Sequence, residues 1–328
     1  MLRDRFGREI DYLRISLIDS CNLRCVYCMP LGRIRPMPAA TLLCPEEIET
    51  VARIAVALGF GKIRLTGGEP TLRPDLLEVV RRLAGIPGLR DLALTTNGIL
   101  LPRLAPALAD AGLRRVNVHL DTLKPRHLSR LMRFGSVAEV WAGIMAAERA
   151  GLDPIKLNTV VTRGFNDEDV VEIAALTRAR AWHTRFIELM PLGTGEPAEV
   201  ARLAFVPSAE TRRRIEDALG PLTPLTPPDR AEESRNYRLA GAPGTIGFIS
   251  PVSEPYCGLC NRLRLTADGK LRPCLLNDDE LDVRLALQRG GATAVAAVLR
   301  RAIDVKPTGH RLGENHPVER REMFQLGG

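Results

Sequence analysis

The chain has 328 residues, of which 45% are hydrophobic and 26% charged, and its formal net charge is +7 at pH 7. This length suits one large α/β unit with an appendage, or two domains, and it is enough to bury a substantial core. No apolar run approaches the roughly 18 residues that a membrane-spanning helix needs, and the charged N-terminus lacks a signal-peptide core, so we expect a cytoplasmic protein without membrane contact.

The first part of the chain alternates short apolar runs with amphipathic stretches. The predicted strands are Tyr12–Ile18, Lys62–Leu65, Asp91–Thr95, Arg115–Leu120, Ile155–Val161 and Thr184–Glu188. The predicted helices are Pro45–Leu58, Pro74–Ala84, Leu101–Ala111, Val137–Ala150 and Asp167–Arg178. This alternation predicts an α/β fold with a parallel sheet, and it leaves open whether the units form an open sheet or part of a barrel. In either case the carboxyl ends of the strands form the face where chemistry is expected.

Between Pro191 and Pro228 the chain becomes rich in proline, which predicts a connector into a smaller C-terminal region. We therefore expect two parts, residues 1–228 and residues 229–328. The strands predicted in the second part are Tyr237–Leu239, Gly244–Phe248, Arg262–Thr266 and Lys270–Arg272, and the predicted helices are Leu281–Gln288 and Thr293–Arg301.

Three cysteines, Cys21, Cys25 and Cys28, follow the first predicted strand. Cysteine thiolates hold iron–sulfur clusters, usually four per cluster, so a set of three leaves one iron without a protein ligand. An open position is typical of a catalytic rather than a structural metal site. The alternative is a zinc site or a set of buried thiols. The chain has seven cysteines, six of them clustered, which fits metal ligation in a reducing compartment better than a disulfide framework.

The second cysteine set consists of Cys257, Cys260 and Cys274. A Cys-x2-Cys pair is a common metal knuckle, and taken alone this set is equally compatible with a zinc ribbon that lacks one ligand. Because no His or Cys follows Cys274 closely, and because the first set already indicates iron–sulfur chemistry, we favour a second cluster with an open iron. Cys44 lies outside both sets and is expected to be a plain small hydrophobe.

Several basic residues fall within predicted strands. Arg262 and Arg264 alternate along one strand and so share a face, where they would suit an oxygen-rich anion or a purine edge. Arg14, Arg64 and Lys156 face either solvent or the interior, and in the interior such cations would need a highly charged anion such as a triphosphate. The net positive charge of the chain favours an anionic partner, but it does not distinguish among a nucleic acid, a nucleotide and a membrane surface.

Two strand ends carry turns that suit a ligand. Gly67-Gly68-Glu69-Pro70 lets backbone approach a ligand closely, although glycine turns are common. Thr95-Thr96-Asn97-Gly98 ends the third strand, where an ordinary Asn-Gly turn is the alternative.

The Cys-x3-Cys-x2-Cys spacing followed by Met29-Pro30 resembles the radical S-adenosylmethionine (SAM) enzymes. The resemblance implies that the open iron binds the amino and carboxylate groups of SAM. It also implies that Tyr27 lies against the adenine and that the glycine-rich element with Gly68 contacts the amino group.

Further motifs resemble one family, the GTP 3',8-cyclases, also called the molybdenum cofactor biosynthesis protein A family. The similar segments, which span nearly the whole chain, are Leu13-Arg14-Ile15-Ser16, residues 64–70, residues 94–98, Val116-Asn117-Val118, Leu120-Asp121, Lys156-Leu157-Asn158, residues 185–191, residues 257–264 and Gly327-Gly328. The resemblance implies a partial (β/α)6 TIM-type barrel and a small C-terminal α+β region that carries the second of two 4Fe-4S clusters.

The resemblance also implies a reaction. One electron cleaves SAM to methionine and a 5'-deoxyadenosyl radical, which takes the 3' hydrogen of GTP. The ribose radical attacks C8 of guanine, and a further electron and proton complete 3',8-cyclo-7,8-dihydro-GTP in the first step of molybdenum cofactor biosynthesis. The implied cluster ligands are Cys21, Cys25, Cys28, Cys257, Cys260 and Cys274. The implied SAM contacts are Tyr27, Gly68, His119 and Met190. The implied GTP contacts are Arg14, Arg64, Thr95, Lys156, Arg262, Leu263 and Arg264.

Two features bear on this assignment. The family has Ser where this chain has His119, which puts that SAM contact in question. A Gly-Gly end such as Gly327-Gly328 is ordinarily disordered, but in the family it reaches into the active site and is required.

Two rival functions remain at this stage. One is a radical SAM enzyme that modifies a peptide and has an auxiliary cluster, and such enzymes carry more C-terminal cysteines. The other is a zinc-dependent nucleic-acid-binding protein, which leaves the strand motifs unexplained and lacks aromatic stacking residues.

The expected partners are therefore GTP as substrate and an electron donor. Cyclic pyranopterin monophosphate synthase is expected downstream, and no nucleic acid or membrane is expected to bind. The resemblance allows a homodimer.

Overall fold

The computed structural model describes residues 2–32, 34–226, 229, 231–310, 312, 318 and 320–327. In this part of the chain, twelve strands form one sheet. They are β1 (Tyr12–Ser16), β2 (Lys62–Thr66), β3 (Asp91–Thr96), β4 (Arg115–His119), β5 (Lys156–Val161), β6 (His183–Glu188), β7 (Leu222–Pro224), β8 (Arg235–Leu239), β9 (Thr245–Ile249), β10 (Arg262–Leu265), β11 (Lys270–Arg272) and β12 (Leu281–Asp282).

The strand order is β12-β11-β10-β1-β2-β3-β4-β5-β6-β9-β8-β7. The central run from β10 to β9 is parallel throughout, and the outer strands on both sides are antiparallel. The predicted parallel α/β sheet is confirmed. The boundary expected near residue 228 does not interrupt the sheet, because β9 pairs with β6 and β10 pairs with β1.

The helices are α1 (Pro45–Ala57), α2 (Leu76–Ala84), α3 (Leu101–Asp110), α4 (Pro125–Leu131), α5 (Val137–Arg149), α6 (Val170–Ala175), α7 (Gly195–Leu203), α8 (Ser208–Leu219), α9 (Val283–Asp304) and α10 (Met323–Leu326). Their apolar faces cover the outside of the sheet. In α2, for example, Leu76, Val79, Val80 and Leu83 are buried, at the three- and four-residue spacing of one helix face. Leu13, Ile15, Ile63 and Leu65 alternate along β1 and β2 into the same hydrophobic layer.

The side chains on the other face of the sheet point into its concave interior. Arg14 on β1 and Arg185 on β6 both lie within 4 Å of Glu233, although four strands separate β1 from β6 in the sheet. The sheet must therefore curl strongly, as in a partial barrel.

The predicted strands of the first part match the observed ones to within two residues at each end. The interpretation of residues 191–228 as a connector was wrong for part of that segment, because it contains α7 and α8. Pro197 lies in the first turn of α7 and Pro207 caps α8, positions at which proline is compatible with a helix. The two helices predicted after Leu281 correspond to α9, whose helical geometry is broken at Gly291.

Cys44 also differs from its prediction. It is exposed, and its backbone N–H donates to Glu47 Oε2 at 2.9 Å as the N-cap of α1. Its position is explained by hydrogen bonding at the start of the helix rather than by burial.

Among the described residues, no helix combines the length and the apolar character needed to cross a membrane.

Candidate functional site

The first cysteine set lies at the carboxyl end of the sheet, in a tight turn after β1. The N–H groups of Cys28 and Met29 donate to Cys25 O at 2.9 and 3.0 Å, and Leu23 N–H donates to Cys21 Sγ at 3.3 Å. These bonds fold the three thiols into one pocket wall. Burial raises the pKa of Cys21 to about 12 and also raises that of Cys28. Because metal ligation requires thiolates, a bound cation would reverse these shifts.

In the part of the chain that the structure describes, no three His, Cys, Asp or Glu side chains converge on a site for a single metal ion. In a four-iron cluster each thiolate binds a different iron.

The glycine pair after β2 packs against the loop that carries these cysteines. The Gly68 N–H donates to Ile18 O at 2.7 Å. A Cβ on Gly68 would lie 2.2 Å from Ser20 O, so only glycine permits this approach. Gly68 thereby lines the same pocket as the thiols.

Glu69, which the sequence analysis did not single out, is a buried carboxylate on the pocket wall. It accepts from the Asn97 N–H at 2.7 Å and from the Thr96 hydroxyl at 2.6 Å. Burial raises its pKa despite these bonds. A buried carboxylate held by neutral donors suits a ligand ammonium group.

Tyr27 and His119 meet over the buried Asp121. The Tyr27 hydroxyl donates to Asp121 Oδ2 at 2.6 Å and lies 2.8 Å from His119 Nε2, which is 3.0 Å from the same carboxylate oxygen. Burial opposes a charged imidazole, but Asp121 outweighs it and raises the pKa of His119 to about 10. Both rings line the pocket, so His119 is positioned there as a cation.

The second cysteine set lines a separate pocket inside the barrel, with Met190 on the wall of both pockets. Burial raises the pKa of Cys260, but Lys306 and Arg262 outweigh burial and lower it to about 7. Lys306 is held by the carbonyls of Arg262 and Pro273 at 2.7 and 2.6 Å. This pocket therefore favours a thiolate before any metal binds.

Buried cations line the interior between the two cysteine sets. The members of this cation cluster are Arg14, Arg64, Lys156, Arg185, Arg262 and Arg264. In the sheet, Arg14 is level with Arg64 on one side and with Arg264 on the other. Burial lowers the pKa of Arg64 and of Arg264. Repulsion from the neighbouring arginines adds to this effect, and both pKa values fall to about 9.

Lys156 is the weakest base of the cluster. Burial, followed by repulsion from Arg185 and Arg115, lowers its pKa to about 7. Its side chain is 16% exposed, and Glu232 lies 3.8 Å away. The alternative of a solvent-facing lysine is wrong.

Thr95 and Leu263, the other two expected substrate contacts, lie on opposite sides of the sheet. The Thr95 hydroxyl is buried in the first pocket with no hydrogen-bond partner among the described residues, so it is available to a ligand. Leu263 is fully buried in the hydrophobic layer outside the barrel, opposite to Arg262 and Arg264. Its side chain cannot reach the interior, so only its backbone could contact a ligand there.

The C-terminal tail reaches the same interior. The Ser16 hydroxyl donates to Leu326 O at 2.9 Å, and Arg264 Nη1 donates to Gly327 O at 2.7 Å. Gly327 has φ 68°, and a Cβ there would lie 2.5 Å from Thr66 Cγ2. Gly328 lies outside the described residues.

Sequence reasoning missed Arg185, Glu69 and Glu233. Arg185 is 2% exposed, and its Nε donates to Asn158 Oδ1 at 3.0 Å. A lone basic residue within an apolar strand, the signal that identified Lys156, would also have identified Arg185. Glu69 lies inside a motif already recognised, whereas Glu233 follows a loop and carries no local signal.

Comparisons with known proteins agree with this geometry. Residues 15–177 match the Radical SAM superfamily, and residues 182–312 match the family described as Molybdenum Cofactor Synthesis C. The GTP 3',8-cyclase of Pelotomaculum thermopropionicum is 51% identical over 100% of both chains. The GTP 3',8-cyclase of Moorella thermoacetica is 48% identical, again over 100% of both chains.

Among solved structures, Streptococcus suis SuiB bound to S-adenosylmethionine is similar with a TM-score of 0.60 at 13% identity. The match covers 97% of this chain and 76% of SuiB. At this identity the similarity shows the fold alone.

Proposed function

The chain belongs to the GTP 3',8-cyclase family of the radical SAM superfamily, and from this premise we propose that it converts GTP to 3',8-cyclo-7,8-dihydro-GTP in the first step of molybdenum cofactor biosynthesis. The observation that supports this most strongly is the cation cluster between two cysteine sets. Glu232 and Glu233 supply two carboxylates for its six cations, and this excess of buried positive charge suits a highly charged anion such as a triphosphate.

The residues of the first pocket fit SAM and a 4Fe-4S cluster. Cys21, Cys25 and Cys28 would hold three irons. When bound, the cluster and SAM together supply a 5'-deoxyadenosyl radical to the barrel interior. Glu69 suits the amino group of SAM, and Tyr27 and the cationic His119 form the wall on which the remainder of SAM would lie.

Cys257, Cys260 and Cys274 would hold the second 4Fe-4S cluster. Arg262 and Arg264 stand beside it and would orient the guanine, while Arg14, Arg64 and Lys156 would bind the triphosphate. Guanidinium and ammonium groups bind phosphate through charge-assisted hydrogen bonds. This orientation would place the ribose between the triphosphate and guanine sites, facing the first pocket, which Thr95 lines.

The reaction consumes electrons that the chain does not supply, so we also propose an external electron donor. The downstream synthase and the homodimer stay predictions.

Anaerobic incubation of the reconstituted protein with SAM, dithionite and GTP tests the proposal. Because the reaction rearranges GTP, chromatography with mass spectrometry should detect an isomer of GTP together with 5'-deoxyadenosine. ATP should not replace GTP. Cleavage of SAM with no change in GTP would contradict the proposed substrate.

Lys156 gives a prediction that depends on pH. Because its pKa is about 7, the free protein loses this cation as the pH rises, and binding of triphosphate must restore the proton. The dissociation constant of GTP should therefore increase from about pH 7.5 to about pH 8.5, a range in which the terminal phosphate is already ionised and which stays below the pKa of about 9 of Arg64 and Arg264. Lys156→Arg should remove this dependence, and Lys156→Ala should weaken binding by about tenfold.

Isothermal titration would measure both effects, with Lys124→Ala as a control, because Lys124 pairs with Asp169 and Glu172 outside the site. Normal GTP binding by Lys156→Ala would exclude Lys156 from the triphosphate site.

A further inference from the structure

A carboxylate lies where the arginines of the cation cluster converge. Glu233 is 8% exposed and forms an ion pair with Arg262. Its Oε1 lies 3.0 Å from Arg14 Nη2. The same oxygen lies 3.7 Å from nitrogens of Arg64 and Arg185. Burial alone would raise the pKa of Glu233, but these four arginines hold it well below its usual range, so the group is an anion.

Glu233 belongs to a short acidic segment, defined here as Asp229, Glu232 and Glu233. It lies in the connection between β7 and β8, at the edge of the sheet. Asp229 pairs with Lys62, and Glu232 lies 3.8 Å from Lys156. Within this segment, Glu232 and Glu233 thus supply the counter-ions of Arg14, Arg64 and Lys156, the cations assigned to the triphosphate.

The contacts of Glu233 are incomplete. Two of the four arginines stand at 3.7 Å, which is an ion-pair distance but too long for a hydrogen bond. The Nε groups of Arg14, Arg64 and Arg262 have no hydrogen-bond partner among the described residues. A phosphate group offers more acceptor oxygens than a carboxylate and would satisfy more of these donors.

We propose that the Glu233 carboxylate occupies the position of a phosphate group in the free protein. It neutralises the buried arginines there, and it is displaced when the triphosphate binds. Both anions cannot occupy the single point at which the four guanidinium groups converge. The acidic segment lies outside the parallel strands, so it can withdraw while their pairing stays intact. Glu233 therefore lowers the affinity for polyanions and makes their binding an exchange of one anion for another. This inference rests on the proposed function, because it takes Arg14 and Arg64, two of the four arginines around Glu233, as ligands of the triphosphate.

The test compares wild-type protein with Glu233→Gln, which keeps the shape of the side chain and removes its charge. Inorganic tripolyphosphate and GTP are titrated separately, without SAM, at fixed ionic strength. Removal of the competing anion should make both ligands bind on the order of tenfold tighter. Without ligand the melting temperature of Glu233→Gln should fall, since its arginines repel one another, and tripolyphosphate should raise it more than in the wild type.

Glu254→Gln is the matched control, because it removes the same charge from a half-exposed pair with Arg235 outside the cation cluster. It should leave both affinities unchanged. Unchanged or weaker binding by Glu233→Gln would overturn the inference, whereas failure of the wild type to bind either ligand would contradict the triphosphate site itself.

Hydrogen exchange on the wild-type protein supplies a test that requires no variant. Tripolyphosphate should speed exchange of the backbone amides of residues 231–234 as the segment withdraws. Slower exchange in this segment would show that Glu233 stays in place beside the ligand and would overturn the displacement.

Discussion

Replacement of Cys21, Cys25 and Cys28 together by alanine is expected to abolish SAM cleavage and to reduce the iron content of the reconstituted protein from about eight to about four atoms per chain. The three thiols line one pocket, while the second set lines another, so loss of one cluster should leave the other intact. The reverse variant, without Cys257, Cys260 and Cys274, should also retain about four iron atoms but should still cleave SAM.

Iron and acid-labile sulfide assays, together with chromatography of 5'-deoxyadenosine, measure these outcomes. Cys44→Ala is the matched control, because Cys44 is exposed and belongs to neither set. A fully active protein with zinc at the C-terminal set would contradict the assignment of two clusters.

The C-terminal tail should be essential for cyclisation and nearly irrelevant to stability. A Cβ on Gly327 would collide with Thr66, and its carbonyl is bound by Arg264, so Gly327→Ala should push the tail out of the interior. A displacement of about 1 Å near reacting groups costs about a hundredfold in rate. Removal of Gly327 and Gly328 should have at least this effect. Both variants should keep the full iron content, because every assigned ligand lies upstream.

A control variant at Gly241 distinguishes the effect of backbone strain from the effect of displacing the tail. Gly241 has φ 70°, close to that of Gly327, and open space around it. Gly241→Ala therefore introduces the same strain without a contact in the interior and should turn over normally. Product formation, iron content and melting temperature are measured for all three variants. Normal turnover of the truncated protein would show that the tail has no part in the reaction.

The strands of the first part could be predicted because their residues alternate in burial or are buried on both faces. The same alternation correctly placed Arg262 and Arg264 on one face, and it explains why Leu263 between them points away. The metal-binding role of the first cysteine set could also be predicted, because it depends on the spacing of residues that are close in the sequence.

The features that sequence reasoning missed depend on long-range contacts. Lys156 was recognised as a candidate cation, but its counter-ion Glu232 comes from a loop 76 residues further along the chain. In the same way, no local pattern around Glu233 indicates four arginine partners from four different strands. The helices α7 and α8 were hidden because proline was interpreted as a breaker in positions where it begins or caps a helix.

The position of the C-terminal tail could not be predicted from the physical properties of its residues either. Two terminal glycines have no side chains, so their sequence carries no physical signal of burial, and only the family resemblance predicted their role. The contacts of Gly327 with Arg264 and Thr66 now provide a physical reason for that expectation.

We propose above that the radical formed beside the first cysteine set acts on the ribose of GTP. GTP deuterated at the 3' position, incubated anaerobically with the reconstituted protein, SAM and a reductant, tests it most directly. We expect that 5'-deoxyadenosine recovered from the reaction carries one deuterium and that the cyclised product has lost it. Unlabelled 5'-deoxyadenosine, with deuterium retained in GTP, would contradict it.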